Sequence, residues 1–288
     1  MAEERIVLTI STYSGYVYGL ETLFQLIDGT KLKHCQLQDE PIVQHRGIMI
    51  DSVRHFLGVA AIKRTIEAMP VSKLNVLHWH LVDDEAFTFQ TLNNPELSLE
   101  GAYDEKSRYT TADIKDIIAF AKANAVMVIP EVDTPGHVRS WGLSKKWKAQ
   151  NITIKCPGGE GYNHQLDLSK DAVYNLVVDV LKEIDVLFRE SDYIHLGGDE
   201  VFASCWDQVP AIKTFMTAHH INGYGELVMY WRKEIRKAFA DGRNVAFWKN
   251  TGDNVTTGPD DILHYWGNQN ATADCTKIVI LSRKILRK

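Results

Sequence analysis

Short, continuously apolar segments alternate along the chain with amphipathic segments of helical period, and this alternation constrains the fold more than any other feature. We predict a β-strand for each of seven apolar segments, namely Gly47–Asp51, Leu74–Val82, Val126–Val132, Tyr193–Leu196, Val245–Trp248, Ile262–Trp266 and Lys277–Leu281. Continuous hydrophobicity is typical of parallel strands that are buried on both faces. The repeated strand–helix units therefore predict an α/β fold with one parallel sheet, either open or closed into a barrel.

Helices are predicted between these strands from apolar stripes that follow capping residues. One cap is predicted at Thr110 or Thr111, and another at Ser169. Before the sheet, the sequence predicts a strand over Ile6–Ile10 and a helix over Tyr18–Leu26.

Composition and charge narrow the class of function. The 288 residues are 45% hydrophobic and 24% charged, which is typical of a globular protein with one sizeable core. The net charge of −5 indicates neither nucleic acid nor an anionic membrane as a partner. No apolar segment approaches the ~20 residues that a membrane span needs. The first residues also lack the apolar segment of a signal peptide.

Polar residues cluster just after the predicted strand ends, where both barrels and doubly wound sheets bind ligands. The sharpest cluster is Gly197-Gly198-Asp199-Glu200. Adjacent strand residues point to opposite faces, so the chain must turn at the glycines if both carboxylates are to reach one ligand. Burial and like-charge repulsion would then raise one pKa and give a proton donor beside a charged partner. The alternative interpretation is a solvated loop.

A second cluster contains two histidines in one predicted strand, His78 and His80. Histidines two residues apart share a strand face, which is one way to bind a metal. Together with His137 and Asp199 they could form a metallohydrolase site.

The phase of that strand favours a different interpretation. If Asp83 points into the mouth of a barrel, Trp79 and Leu81 lie on its side, and both histidines face the surrounding helices. They would then be buried histidines with hydrogen-bond partners.

Four other polar or aromatic residues each allow two interpretations. His137 follows a Pro-Gly turn, where it either supports an acid or satisfies loop backbone groups. Arg54 either donates to sugar hydroxyls or pairs with Asp51. Trp248 and Trp266 end predicted strands and either pack in the core or form apolar walls of a sugar site.

Four segments together resemble the catalytic domain of the β-N-acetylhexosaminidases of glycoside hydrolase family 20. They are His45–His55, Asn75–Asp84, Pro130–His137 and His195–Val201, and their order and spacing also agree. The resemblance implies a (β/α)8 TIM-type barrel over residues 45–288. It also implies that residues 1–44 are the remnant of a small N-terminal α/β domain.

The resemblance implies retaining hydrolysis of terminal β-linked N-acetylglucosamine or N-acetylgalactosamine. Substrates would be glycans, glycolipids or chitooligosaccharides, and the substrate's own acetamido oxygen attacks the anomeric carbon. Glu200 matches the general acid, and Asp199 matches the residue that orients the acetamido group. The resemblance implies no cofactor and no metal.

The resemblance also assigns five residues to binding or support. Arg54 matches a residue that holds sugar hydroxyls, and Asp83 and His137 match the support around the acid. Trp248 and Trp266 match walls of the acetamido pocket.

Cys156 and Cys205 match a disulfide pair that ties two active-site loops, which favours an oxidising compartment. By the same resemblance we expect a lysosomal or secreted location and, as one arrangement, a homodimer.

Two elements of the family pattern are missing from this sequence, a Tyr-x-x-Asp-like segment and a Trp-Gly-Glu on the eighth strand. We therefore expect an incomplete barrel of about seven strands, truncated at both ends, with unpaired strand edges. The sequence leaves two rival hypotheses open. One is a catalytically impaired or inactive paralogue with residual sugar binding, and the other is a metal-dependent hydrolase of the His-x-His type.

Overall fold

The structure is a computed structural model in which residues 5–32, 34–158, 164–239, 242–249, 261–266 and 279–282 are described. In chain order, the strands within these residues are β1 (Ile27–Asp28), β2 (Lys31–Leu32), β3 (Gly47–Asp51), β4 (Val76–His80), β5 (Met127–Glu131), β6 (Thr153–Lys155), β7 (His164–Leu166), β8 (Tyr193–His195), β9 (Asn244–Lys249), β10 (Ile262–Trp266) and β11 (Val279–Ser282).

The helices in the same residues lie mainly between strands of the large sheet. They are α1 (Tyr13–Gln25), α2 (Val59–Ala68), α3 (Glu96–Gly101), α4 (Thr111–Ala123), α5 (Lys145–Ala149), α6 (Asp171–Leu187), α7 (Ala203–Asp207), α8 (Pro210–Ala218) and α9 (Tyr224–Ile235). Short 3-10 turns cover Pro70–Ser72, Arg139–Gly142 and Arg236–Ala238. None of these described helices is long and apolar enough to cross a membrane.

Seven strands form one sheet in the order β11-β10-β9-β8-β5-β4-β3, and every neighbouring pair is parallel. The order never reverses, whereas a doubly wound sheet reverses at its switch point. The fold is therefore an incomplete TIM-type barrel, as predicted, and β3 and β11 are the edges of the sheet in the described residues.

Alternate residues of these strands face two separate cores. The outer core lies between the sheet and the helices, and it contains Leu77, Val128 and Phe247 together with Ile62 of α2 and Ile114 of α4. The inner core lies on the concave side and contains Val76, Ile129, Tyr193, Ala246, Ile262 and Ile280.

The predicted phase of β4 is wrong. Trp79 and Leu81 belong to the outer core, whereas His78 and His80 point to the inner side. The ladder ends at His80, and Leu81 and Val82 then both lie in the outer core, so the alternation is lost before Asp83. Counting back from Asp83 with a period of two therefore gives the opposite face.

Helix α4 shows how the local sequence sets a boundary. The Thr110 hydroxyl accepts from the Asp113 backbone N–H at 3.1 Å, and the Thr110 backbone N–H donates to the Asp113 carboxylate at 2.8 Å. This capping box satisfies two backbone donors that the first turn leaves free. Of the two predicted caps, the structure uses Thr110.

Two local predictions are wrong. Residues 6–10 form no strand, because no described segment pairs with them, and α1 instead begins after a cap at Thr12. Helix α6 follows Lys170 rather than Ser169. The Ser169 hydroxyl donates to Asp167 at 2.6 Å and is not used as a cap.

Candidate functional site

A left-handed turn at the end of β8 presents the two carboxylates that the sequence singles out. Gly197 has φ +62° and Gly198 has φ +88°. A side chain at Gly197 would place its Cβ 1.8 Å from Oδ1 of Asp133, so only glycine fits there. The Gly198 N–H donates to that same oxygen at 2.8 Å. The turn leaves Asp199 partly buried and Glu200 exposed.

A chain of ionisable side chains runs inward from Glu200. Nε2 of His137 lies 3.1 Å from Oε2 of Glu200, and Nδ1 of His137 lies 3.3 Å from Oδ1 of Asp83. Asp83 also contacts Nε2 of His80 at 2.8 Å and Nη2 of Arg54 at 2.6 Å. Four of the predicted site residues, Glu200, His137, Asp83 and Arg54, are therefore joined by direct contacts.

The histidine in this chain is positively charged. Burial opposes the charge, but hydrogen bonds to Asp83 and Glu200 outweigh it and raise the pKa of His137 to about 12. The hydrogen bond from His137 in turn lowers the pKa of Glu200. Burial alone would raise the pKa of Asp83, yet hydrogen bonds from His137 and His80 hold it below its usual range.

The neighbouring carboxyl group has the opposite shift. Burial, together with the nearby charges of Glu131 and Glu200, raises the pKa of Asp199 to about 6, against the effect of His137. Burial also raises the pKa of Asp133, which is 2% exposed. One carboxyl group of the Asp199–Glu200 pair thus has a raised pKa, as the sequence predicted. In the site without substrate, that group belongs to Asp199.

Arg54 lies among three carboxylates at the rim. Its Nη1 contacts Asp51 at 2.7 Å, its Nη2 contacts Asp83 at 2.6 Å, and its Nε lies 3.8 Å from Glu85. The Arg54 side chain is 40% exposed. Arg54 therefore pairs with Asp51, one of the two predicted options, while it also faces solvent at the mouth of the site.

The two tryptophans lie on adjacent strands. Trp248 of β9 is 7% exposed, and its indole N–H donates to Oε1 of Glu131 at 2.7 Å. Trp266 ends β10 and is 37% exposed. Trp248 is paired in register with His264, so Trp266 lies two residues further along β10 on the same face.

Candidate metal donors fall into two separate groups in the described residues. His78, Glu131 and His195 form one group, and Asp133, His137 and Asp199 form the other, each with donor atoms within 4.8 Å of one another. The predicted His-x-His site needs His78, His80, His137 and Asp199 together. The structure does not gather them, because the histidine pair faces Glu131 below the rim.

A disulfide joins Cys156, which follows β6, to Cys205 in α7, with 4.4 Å between the Cα atoms. The bridge ties the segment after β6 to the segment that leaves Glu200, as the sequence resemblance predicted. Cys35 is exposed and free.

Two buried acids of the site, Glu131 and Asp133, were not predicted from the sequence as site residues. Both follow Ile129 with a period of two, which places them on the inner side of β5 and its extension. The available signal was a charged residue inside an otherwise apolar strand, because such a residue must be paired when it is buried.

A family model matches most of the chain. Residues 43–284 match the model described as "Glycosyl hydrolase family 20, catalytic domain". The beta-hexosaminidase subunit beta of Felis catus is 34% identical over 278 residues, which are 92% of this chain and 51% of that protein. The beta-hexosaminidase A of Caenorhabditis elegans is 35% identical over 90% of this chain and 49% of its own length. The chain thus spans about half the length of these curated relatives.

Solved structures also superimpose on most of this chain. The GH20 exo beta-N-acetylglucosaminidase of Vibrio harveyi superimposes with a TM-score of 0.79 and 28% identity, over 93% of this chain and 46% of that chain. The chitobiase of Flavobacterium johnsoniae has a TM-score of 0.74 and 29% identity, over 88% of this chain and 39% of its own.

Proposed function

Because the chain belongs to glycosyl hydrolase family 20, we propose that it hydrolyses terminal, non-reducing β-linked N-acetylhexosamine from glycans, glycolipids or chitooligosaccharides. One observation carries the proposal, the hydrogen-bonded chain from Glu200 through His137 to Asp83 beside the partly buried Asp199. An exposed acid backed by a charged histidine, next to a second carboxyl group, suits acid–base chemistry at an anomeric carbon.

In the first step, the carbonyl oxygen of the substrate's acetamido group bonds to the anomeric carbon as the glycosidic C–O bond breaks. Glu200 gives its proton to the departing oxygen, so the aglycone leaves as a neutral alcohol. The sugar is left as a cyclic oxazolinium ion.

In the second step, water attacks the anomeric carbon and Glu200 takes a proton from it. The bond between this carbon and the acetamido oxygen breaks, and its electron pair returns to that oxygen. The sugar leaves with an intact acetamido group, and two inversions at the carbon give net retention.

The proton that Glu200 donates to the departing oxygen comes from His137, its ion-pair partner. In the free site, His137 is protonated and Glu200 is ionised. A bound sugar removes water from Glu200 and so disfavours its charge. The proton on Nε2 of His137 then moves across the 3.1 Å contact to Oε2 of Glu200. The imidazole is left neutral, and its Nδ1–H still donates to Asp83.

Asp199 acts on the acetamido group. As a carboxylate it accepts from the acetamido N–H and faces the positive charge that develops on the oxazolinium ring. That positive charge favours the ionised form of Asp199 and opposes the effect of its burial.

Three further residues bind the sugar in this proposal. Arg54, exposed at the rim, donates to sugar hydroxyls, and its carboxylate partners hold it in place. Trp248 and Trp266, on one face of adjacent strands, form apolar walls around the acetamido methyl.

The activity is tested with a chromogenic N-acetyl-β-glucosaminide. We expect the wild-type protein to release the chromophore and Glu200→Gln to lower kcat/KM by a factor of about 10² or more, since the amide cannot donate the acidic proton.

The matched control is Glu190→Gln, which removes an exposed carboxylate that pairs with Lys122. It should leave the rate unchanged. Wild-type protein no faster than Glu200→Gln would refute the proposed activity.

We also propose that residues 1–44 are the remnant of a small N-terminal domain and that the protein is lysosomal or secreted. The disulfide supports an oxidising compartment. The homodimer expected from the family stays a prediction, which light scattering of the purified protein would check.

A further inference from the structure

Glu131 has no exposed surface, yet it carries a carboxylate in the inner side of the barrel. Its Oε1 accepts from the Trp248 indole N–H at 2.7 Å. Its Oε2 lies 2.6 Å from Nε2 of His78 and 3.1 Å from Nδ1 of His80. The carboxylate therefore joins β4, β5 and β9 beneath the candidate site.

The indole that Glu131 holds rests on imidazole rings. The ring centroid of Trp248 lies 4.1 Å from that of His264, 4.5 Å from His195 and 5.5 Å from His78. All three ring pairs are tilted, with interplanar angles of 35°, 53° and 33°, so none of them is a parallel stack. The hydrogen bond from the indole N–H to Glu131 is a directional contact that fixes the orientation of the ring.

The charge on Glu131 makes this hydrogen bond strong. Burial by itself disfavours the charged form of Glu131, but His80, His195 and His78 outweigh burial and lower its pKa. Burial similarly opposes a charge on His80, and its contacts with Glu131 and Asp83 raise its pKa. A buried carboxylate compensated in this way gives a charge-assisted bond to the indole.

We propose that Glu131 is a positioning residue that fixes the indole of Trp248 and thereby sets the size of the pocket for the substrate's N-acyl group. The inference rests on the proposed function, in which Trp248 is a wall of that pocket. The residue acts through Trp248 and does not itself touch the sugar.

The kinetic test compares a chromogenic N-acetyl-β-glucosaminide with its N-propanoyl homologue, which is one methylene larger. We expect the wild-type protein to prefer the N-acetyl substrate by about tenfold or more in kcat/KM. Glu131→Met removes the acceptor, frees the indole and should lower this preference about fivefold.

Two further variants distinguish the positioning role of Glu131 from a loss of folded protein. Glu131→Gln keeps a carbonyl acceptor and should retain the preference. Trp248→Phe keeps the buried carboxylate and the histidines but removes the indole donor, so it should lower the preference as Glu131→Met does. A fall in the amount of folded protein alone lowers both rates equally and leaves their ratio unchanged.

Asp185→Asn is the matched control. Asp185 is a buried carboxylate that pairs with Arg189 and Arg243 near the start of β9, at the opposite end of that strand from Trp248. It should leave the ratio of the two kcat/KM values as in the wild type. An unchanged ratio in both Glu131→Met and Trp248→Phe would overturn the proposal.

A second readout does not depend on activity. The sequence has seven tryptophans, and in ¹⁵N-labelled protein the indole N–H signal that disappears in Trp248→Phe identifies Trp248. We expect that signal to move upfield and to exchange faster with solvent in Glu131→Met than in Glu131→Gln.

The two proposals can therefore fail separately. Wild-type protein that cleaves neither substrate contradicts the proposed function, while the indole signal still reports whether Glu131 holds Trp248. A Trp248 signal that does not change in Glu131→Met refutes the positioning role, whatever the activity.

Discussion

Asp199 and Glu200 are neighbours in the chain, but their pKa values shift in opposite directions because the turn leaves them in different surroundings. Asp199 lies against the buried acids of the inner side, and its pKa rises to about 6. Glu200 reaches the rim, where its hydrogen bond with the charged His137 lowers its pKa. Two adjacent groups of the same chemistry can therefore take different roles.

His137 should make stability depend on pH. Its pKa is raised from 6.5 to about 12 in the folded state, so its contribution is complete below pH 6.5 and is lost as the pH rises towards 12. Between pH 7 and pH 9, we expect its contribution to the free energy of unfolding to fall by up to about 1.4 kcal/mol per pH unit.

Urea denaturation of wild-type protein and of His137→Gln at these pH values measures the effect. The difference in stability between the two proteins should shrink as the pH rises, since the variant has lost the titrating group. A difference that stays constant from pH 7 to pH 9 would show that His137 is not held in its charged form.

At the scale of single elements, the helices depend on local chemistry that can be read from the sequence. Thr110 caps α4 as predicted, and Ile114 and Ile117 of that helix bury their side chains in the outer core. The predicted cap at Ser169 is not used, because α6 begins one residue later, after Lys170, and the Ser169 hydroxyl instead donates to Asp167. Cap residues are thus predictable by type, but the choice between neighbours depends on competing partners.

Thr110→Ala should destabilise the protein by about 1 kcal/mol, because it removes the hydroxyl of the capping box and frees the Asp113 N–H. Thr110→Ser keeps the hydroxyl and should retain most of the stability. Thermal denaturation compares the three proteins, and equal melting temperatures for Thr110→Ala and the wild type would contradict the role of the cap.

At the scale of the whole molecule, contacts between segments far apart in the chain hold the site together. The disulfide spans 49 residues and joins the segment after β6 to the segment after the Gly-Gly turn. Such a bridge stabilises a fold mainly because it restricts the unfolded chain.

Replacing both Cys156 and Cys205 by serine should lower the free energy of unfolding by about 2–4 kcal/mol. Cys35→Ser, at an exposed and free cysteine, is the matched control and should change nothing measurable. Denaturation of the three proteins under oxidising conditions tests this prediction, which fails if the double variant is as stable as the control.

The sequence by itself determined the parallel strands and the residues at their carboxyl ends, because these features follow from local hydrophobic patterns and from motifs. All seven predicted strands of the sheet are present, and Asp83, His137 and Glu200 do come together.

Only the tertiary structure decided which side of the barrel the histidines of β4 face and what Glu131 holds. A period of two applies within a regular strand and is lost after His80, where Leu81 and Val82 both enter the outer core, so no local rule could give the side. Glu131 and Trp248 are 117 residues apart in the chain, and such contacts arise only when the strands assemble. The charge of a buried group depends on those partners and not on its neighbours in the sequence.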